Sequence, residues 1–190
     1  MRISGGEARG RTIRLLKGCR IRPTAERIKE SLFGILSPVA GGAFLDLFAG
    51  SGNVGLEALS RGARFAVFVE KDIRLADAIR TNISLLGFAG KGEVIAADAA
   101  MGLGRLAKRG DRFEIIFADP PYETAYLKET LGWVERGDVL AENGIVVIQH
   151  SVREALEESY IRVMAVTDQR RYGDTMLSFL KKKRGEEQSS

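Results

Sequence analysis

The chain has 190 residues, 45% hydrophobic and 28% charged, with a formal net charge of +4, which suits one domain built around a single large core. No apolar run approaches the roughly 18 residues that cross a bilayer, and the start "MRISGGEARGRTIR" lacks the apolar core of a signal peptide, so the expected location is the cytoplasm. One cysteine, Cys19, and one histidine, His150, exclude an internal disulfide and a His/Cys metal cluster; no metal is expected.

Residues 1 to 18 read as a small β-hairpin, and a basic amino-terminal extension is expected over residues 1 to 20. Residues 1 to 30 carry nine Lys/Arg against three Asp/Glu, whereas the other 160 carry twenty against twenty-two. The positive charge is therefore concentrated at one end, which suits a phosphate-rich partner but also an ordinary solvated arm. "RPTAERIKESLFGIL" (22 to 36) reads as a helix capped by Thr24. Short apolar runs follow at 43 to 48, 65 to 70, 92 to 97, 113 to 118 and 144 to 149, with helical stretches at 52 to 61, 71 to 86, 99 to 108 and 123 to 137 between them. Strands buried on both faces and separated by helices predict an α/β fold, a mainly parallel sheet with helices on each side. Two more runs, 161 to 166 and 175 to 180, have only "TDQRRYGD" between them, too short for a crossover helix, so an antiparallel hairpin is predicted. A frayed tail is expected over 185 to 190.

Ligands of open α/β sheets bind at the carboxyl ends of the strands. After the first apolar run comes "DLFAGSGNVGLEAL", where Gly50, Gly52 and Gly55 fit G-x-G-x-x-G. Glu70 ends the second run and is placed to accept hydrogen bonds from a ribose. Asp98 follows the third and Asp119 the fourth. Each feature alone has a plain structural explanation: glycines for packing, Glu70 as a solvated strand end, Asp98 as a helix cap. Together they describe a nucleoside pocket, open at this point to a nicotinamide-dependent oxidoreductase.

"FEIIFADPPYE" (113 to 123) narrows the chemistry. Two prolines after a strand restrict the chain, so the Asp119 carboxylate and the Pro120 carbonyl form a rigid pair of acceptors. That pair suits a planar amino group with two N–H donors, and Tyr122 offers a face on which a base can stack. A bare turn is the alternative. Hydride transfer needs no such clamp.

"FLDLFAGSGNVGLEALSRGA", "VFVEKD" and "DPPY" resemble the successive motifs of class I S-adenosylmethionine-dependent methyltransferases that modify exocyclic amino groups. With "RPTAERIKESLF" and "YGDT" added, the chain is similar over nearly its whole length to the RsmD family, which methylates N2 of one guanine in 16S small-subunit ribosomal RNA. The resemblance implies a Rossmann-like methyltransferase fold with a seven-stranded, mainly parallel sheet and an antiparallel carboxyl-terminal hairpin. It implies that Asp46, Gly50, Gly52, Glu70 and Asp98 contact S-adenosyl-L-methionine, with Glu70 on the ribose and Asp98 near the adenine. By the same resemblance, Asp119, Pro120 and Tyr122 would hold the target base in catalysis. Candidate RNA-binding residues are Arg9, Arg11, Arg14 and Arg22, and the implied partner is 16S RNA in a small ribosomal subunit or its precursor. Gln149 stands where an acidic residue is expected in many relatives and is read as peripheral; His150 beside it is read as structural. Alternatives are a DNA or other RNA amino-group methyltransferase, a protein-glutamine methyltransferase, which would more typically show asparagine at 119, and a non-catalytic RNA-binding assembly factor.

Overall fold

A computed structural model of the protein describes residues 1–16, 26–36, 39–121 and 124–183. Thr24, Cys19, Arg22, Tyr122 and the tail at 185–190 lie outside the described residues.

The helices are α1 Glu26–Ile35, α2 Asn53–Ser60, α3 Ile73–Leu85, α4 Ala99–Arg109 and α5 Thr124–Gly137. The strands are β1 Ala43–Asp46, β2 Phe65–Glu70, β3 Gly92–Ala96, β4 Phe113–Ala118, β5 Leu140–Ser151, β6 Met164–Tyr172 and β7 Thr175–Lys182. They form one sheet in the order β3-β2-β1-β4-β5-β7-β6. The first five strands are parallel, and β7 runs antiparallel to both β5 and β6. The chain winds outward from β1 to β3 and then returns to the other side of β1 as β4. That reversal opens a crevice beyond the carboxyl ends of β1 and β4.

Alternation along the central strands divides the core into two layers. Phe44, Phe68 and Phe117 face α1, α2 and α3, whereas Leu45, Val67 and Ile116 face α4 and α5. Asp72 caps α3 by accepting from the Arg74 amide at 2.9 Å, and Asp98 caps α4 by accepting from the Met101 amide at 2.8 Å. Among the described residues, no helix is long and apolar enough to cross a membrane.

Residues 1–16 fold back on themselves, with an antiparallel bridge between Arg2 and Thr12 and backbone hydrogen bonds from Ile3 to Arg11 and from Ile13 to Met1. They lie against the body of the protein, with Ile3, Ala8 and Ile13 buried in the first core layer. Two expectations need correction. The hairpin near the carboxyl end is present but shifted: β6 begins at Met164, and "TDQRRY", read as connection, is mostly strand, leaving Gly173 and Asp174 at the turn. An edge strand with solvent on its open side carries little apolar signal. β5 is also longer than expected, reaching from Leu140 to Ser151.

Candidate active site

β1 ends at Asp46, and the chain then turns through Gly50 (φ 54°) and Gly52 (φ 75°) into α2. Both angles lie in the left-handed region that glycine enters without strain. Gly55 serves a different purpose: a Cβ there would sit 2.3 Å from Phe68 Cε1, so its absence lets α2 lie close on the sheet.

Glu70 holds this loop in place. Its Oε2 accepts from the Gly50 amide at 2.7 Å and its Oε1 from the Asp72 amide at 2.8 Å. A carboxylate has about four acceptor positions, so capacity remains for ligand hydroxyls. Asp46 is 1% exposed and accepts from the Gly55 amide at 2.9 Å. In register, Asp46 pairs with Phe68 on β2 and Phe117 on β4. Glu70 and Asp119 each lie two residues further on, so the three carboxylates project from the same face of the sheet. Burial pushes the Asp46 carboxyl up to about 7; the Gly55 amide opposes this, and the negative charges of Asp119 and Glu70 add to it. Among the described residues, no group of three or more His, Cys, Asp or Glu is placed to hold a metal ion.

A pH dependence follows. Asp46 titrates near 3.8 in an unfolded chain and near 7 in the folded one. Its stabilising contribution is therefore complete below about pH 4 and is lost as the pH rises through 7, a difference on the order of 4 kcal/mol. Asp46→Asn, neutral throughout, is expected to flatten that part of the stability profile. Urea unfolding of the ligand-free protein at pH 5 and pH 8 tests this, and an equal pH dependence in parent and variant would refute it.

Beside the glycine loop lies a cavity of about 370 Å³ whose lining includes Phe48, Glu70, Asp98, Pro121, Tyr126 and Trp133. Leu47, Val69, Ala97 and Ala99 make its remaining surface largely apolar. An apolar slot of this size with a few convergent polar groups is the usual form of a small-ligand site. Its size and its mix of aromatic, aliphatic and carboxylate lining suit a nucleoside-sized ligand. Tyr126, Glu129 and Trp133 come from α5 and were not anticipated from the sequence. Their spacing puts them on one face of a helix, but that pattern reads equally well as core packing.

The structure thus gathers Asp46, Gly50, Gly52, Glu70, Asp98, Asp119 and Pro120 at one end of the sheet. Pro120 is buried and Asp119 half-buried. The arginines are placed elsewhere. The Arg11 guanidinium donates to the carbonyls of Leu86, at 2.8 Å, and Leu85, closing the carboxyl end of α3. Arg14 pairs through its backbone with the Asn82 side chain, at 2.9 Å in both directions. Arg9 is exposed and follows the turn that packs on the end of α2. Arg9 and Arg11 therefore sit at the end of the sheet away from the crevice. His150 is buried, with ring nitrogens 2.8 Å from Ser178 Oγ and 3.0 Å from the Ser151 carbonyl oxygen, and burial lowers its pKa. Gln149 is likewise buried.

The "Putative rRNA methyltransferase YlbH" of Bacillus subtilis is 36% identical over 184 residues, covering 96% of this chain and all of that protein. The "Ribosomal RNA small subunit methyltransferase D" of Escherichia coli is 37% identical over 157 residues, covering 82% of this chain and 77% of that one. The solved structure of the "Putative methyltransferase yhhF" from Escherichia coli superimposes with a TM-score of 0.85 at 32% identity, covering 96% of this chain and 98% of that one. The family model described as "Conserved hypothetical protein 95" matches residues 1–181, and the chain belongs to that family, the RsmD family of proteins with the class I methyltransferase fold.

Proposed function

We propose that the protein uses S-adenosylmethionine to methylate the exocyclic N2 amino group of a guanine in 16S ribosomal RNA, within a small ribosomal subunit or its precursor. Relatives named as ribosomal RNA methyltransferases support the reaction class and the RNA substrate. One observation carries the assignment within the site: Pro121 lines the same cavity as Glu70 and Asp98. The Asp-Pro-Pro segment therefore abuts the slot that suits a nucleoside-sized ligand.

Bound S-adenosylmethionine supplies a methyl group activated by a positively charged sulfur. The protein's task is to hold and orient. Glu70 accepts from the ribose hydroxyls while keeping Gly50 in place, and Asp98 faces the adenine while capping α4. Asp46, buried behind the glycine loop, accepts from the Gly55 amide and fixes the start of α2. Guanine N2 is a weak nucleophile because its lone pair is delocalised into the ring. Hydrogen bonds from its two N–H groups to the Asp119 carboxylate and the Pro120 carbonyl favour a pyramidal nitrogen, and Tyr122 stacks on the base. Alignment of this kind is worth roughly 7 to 11 kcal/mol in well-oriented reactions. The displaced proton passes either to Asp119 transiently or to water.

The experiment is transfer of labelled methyl groups to naked 16S RNA, to small subunits lacking the modification, and to DNA, followed by nucleoside analysis. The expected product is N2-methylguanosine, formed best on the subunit. Label in adenine, in DNA or in protein would replace this reading with another amino-group or amide methyltransferase.

A further inference from the structure

α2 is buried at all eight positions, including the polar residues Asn53, Glu57 and Ser60. The spacing of these three defines the stripe that a surface helix would turn to solvent. Here the amino-terminal segment covers it. The Ser4 amide and hydroxyl each donate to Glu57 at 2.8 Å, and Ser60 Oγ accepts from the Ala8 amide at 2.9 Å and donates to the Gly5 carbonyl at 2.6 Å.

At the loop end of this stripe lies Lys29, a lysine with no exposed surface. Lysine is almost never fully buried without partners, and this one places all three N–H groups. They reach Glu57 Oε2 at 2.9 Å, the Arg2 carbonyl at 2.7 Å and Asn53 Oδ1 at 3.1 Å. Burial would raise the Glu57 carboxyl, but the Ser4 amide and Lys29 more than offset this and hold it below its usual value. An apolar pair of similar volume commonly stabilises a protein as well as a buried ion pair does, so such pairs are better suited to fixing one geometry. The geometry fixed here is informative. Asn53 is the residue directly after Gly52, and Ser51 Oγ also meets Met1 Sδ at 3.5 Å.

We infer that Lys29 is a positioning residue for the cofactor loop: by holding Asn53 from α1, it sets the start of α2 and hence the path of Gly50 to Gly52. Glu70 holds the loop from the β2 side and Lys29 from the other. The inference rests on the cofactor assignment above.

The test measures S-adenosylhomocysteine affinity by calorimetry, with thermal midpoints alongside, for the parent, Lys29→Met, Lys29→Arg, Asn53→Ala and Lys29→Met/Asn53→Ala. Lys29→Met is expected to weaken binding about tenfold. Asn53→Ala should do the same, the double variant should be no worse than either single, and Lys29→Arg should recover most of the loss. A folded Lys29→Met protein that binds as the parent does, or a double variant with additive losses, overturns the inference. Should Lys29→Met fail to fold, Asn53→Ala decides alone: a tenfold loss supports the inference and parental affinity overturns it. A parent that binds no S-adenosylhomocysteine refutes the cofactor assignment instead.

Discussion

Asp119→Asn is expected to cut methyl transfer to small subunits by on the order of 10²–10³-fold, the usual loss when one positioned group at a reacting centre is removed. The side chain keeps its size, but one acceptor oxygen becomes an N–H₂ donor facing the donors of the guanine amino group. Cofactor affinity should change little, because the contacts proposed for that ligand come from the ends of β1, β2 and β3. Tyr122→Ala should do less harm, losing stacking of roughly 1 to 3 kcal/mol, and Tyr122→Phe should be nearly silent. Initial rates on subunits lacking the modification give the order. A parental rate in the Asp119→Asn protein would reduce the Asp-Pro-Pro segment to a turn.

The second large effect is expected at Glu70, for a reason beyond contact with a ribose. Glu70→Ala removes the acceptor for Gly50 and the acceptor for Asp72 together with those offered to the ligand. Hydrogen bonds to a charged group contribute roughly 1.5 to 3 kcal/mol each, so S-adenosylhomocysteine affinity should fall by about 10²-fold. Glu70→Gln keeps one acceptor oxygen and should lie between the two. Trp133, the chain's one tryptophan, lines the cavity and supplies a direct reading through its fluorescence. Tight binding by Glu70→Ala would place the ligand elsewhere.

The parallel strands and the residues at their carboxyl ends were legible because each is announced locally. An apolar run stops at a glycine or a carboxylate, and sheet topology does the rest by bringing those ends together. What was not legible depends on contacts between distant segments. Asn53, Glu57 and Ser60 look like a solvated stripe until the amino-terminal segment is seen to cover them. Arg11 reads as a free cation in a basic run, yet it closes α3 some 75 residues away. Trp133 and Tyr126 carry no signal separating cavity wall from core. β6 was misplaced because its outer edge meets water, so apolar patterning marks it weakly.

The strand order also constrains how the molecule assembles as it is made. β1 borders β2 on one side and β4 on the other, but some 66 residues separate the end of β1 from the start of β4. Synthesis from the amino end can complete the β3-β2-β1 half, with α2 and α3 upon it, while the other edge of β1 still has no strand beside it. Contacts this distant in sequence form late, and an open central edge in a growing chain invites wrong pairing. The edge of β1 that β4 will cover therefore stays open between the emergence of Asp46 and that of Phe113, and slowing translation within that interval should lower the soluble yield.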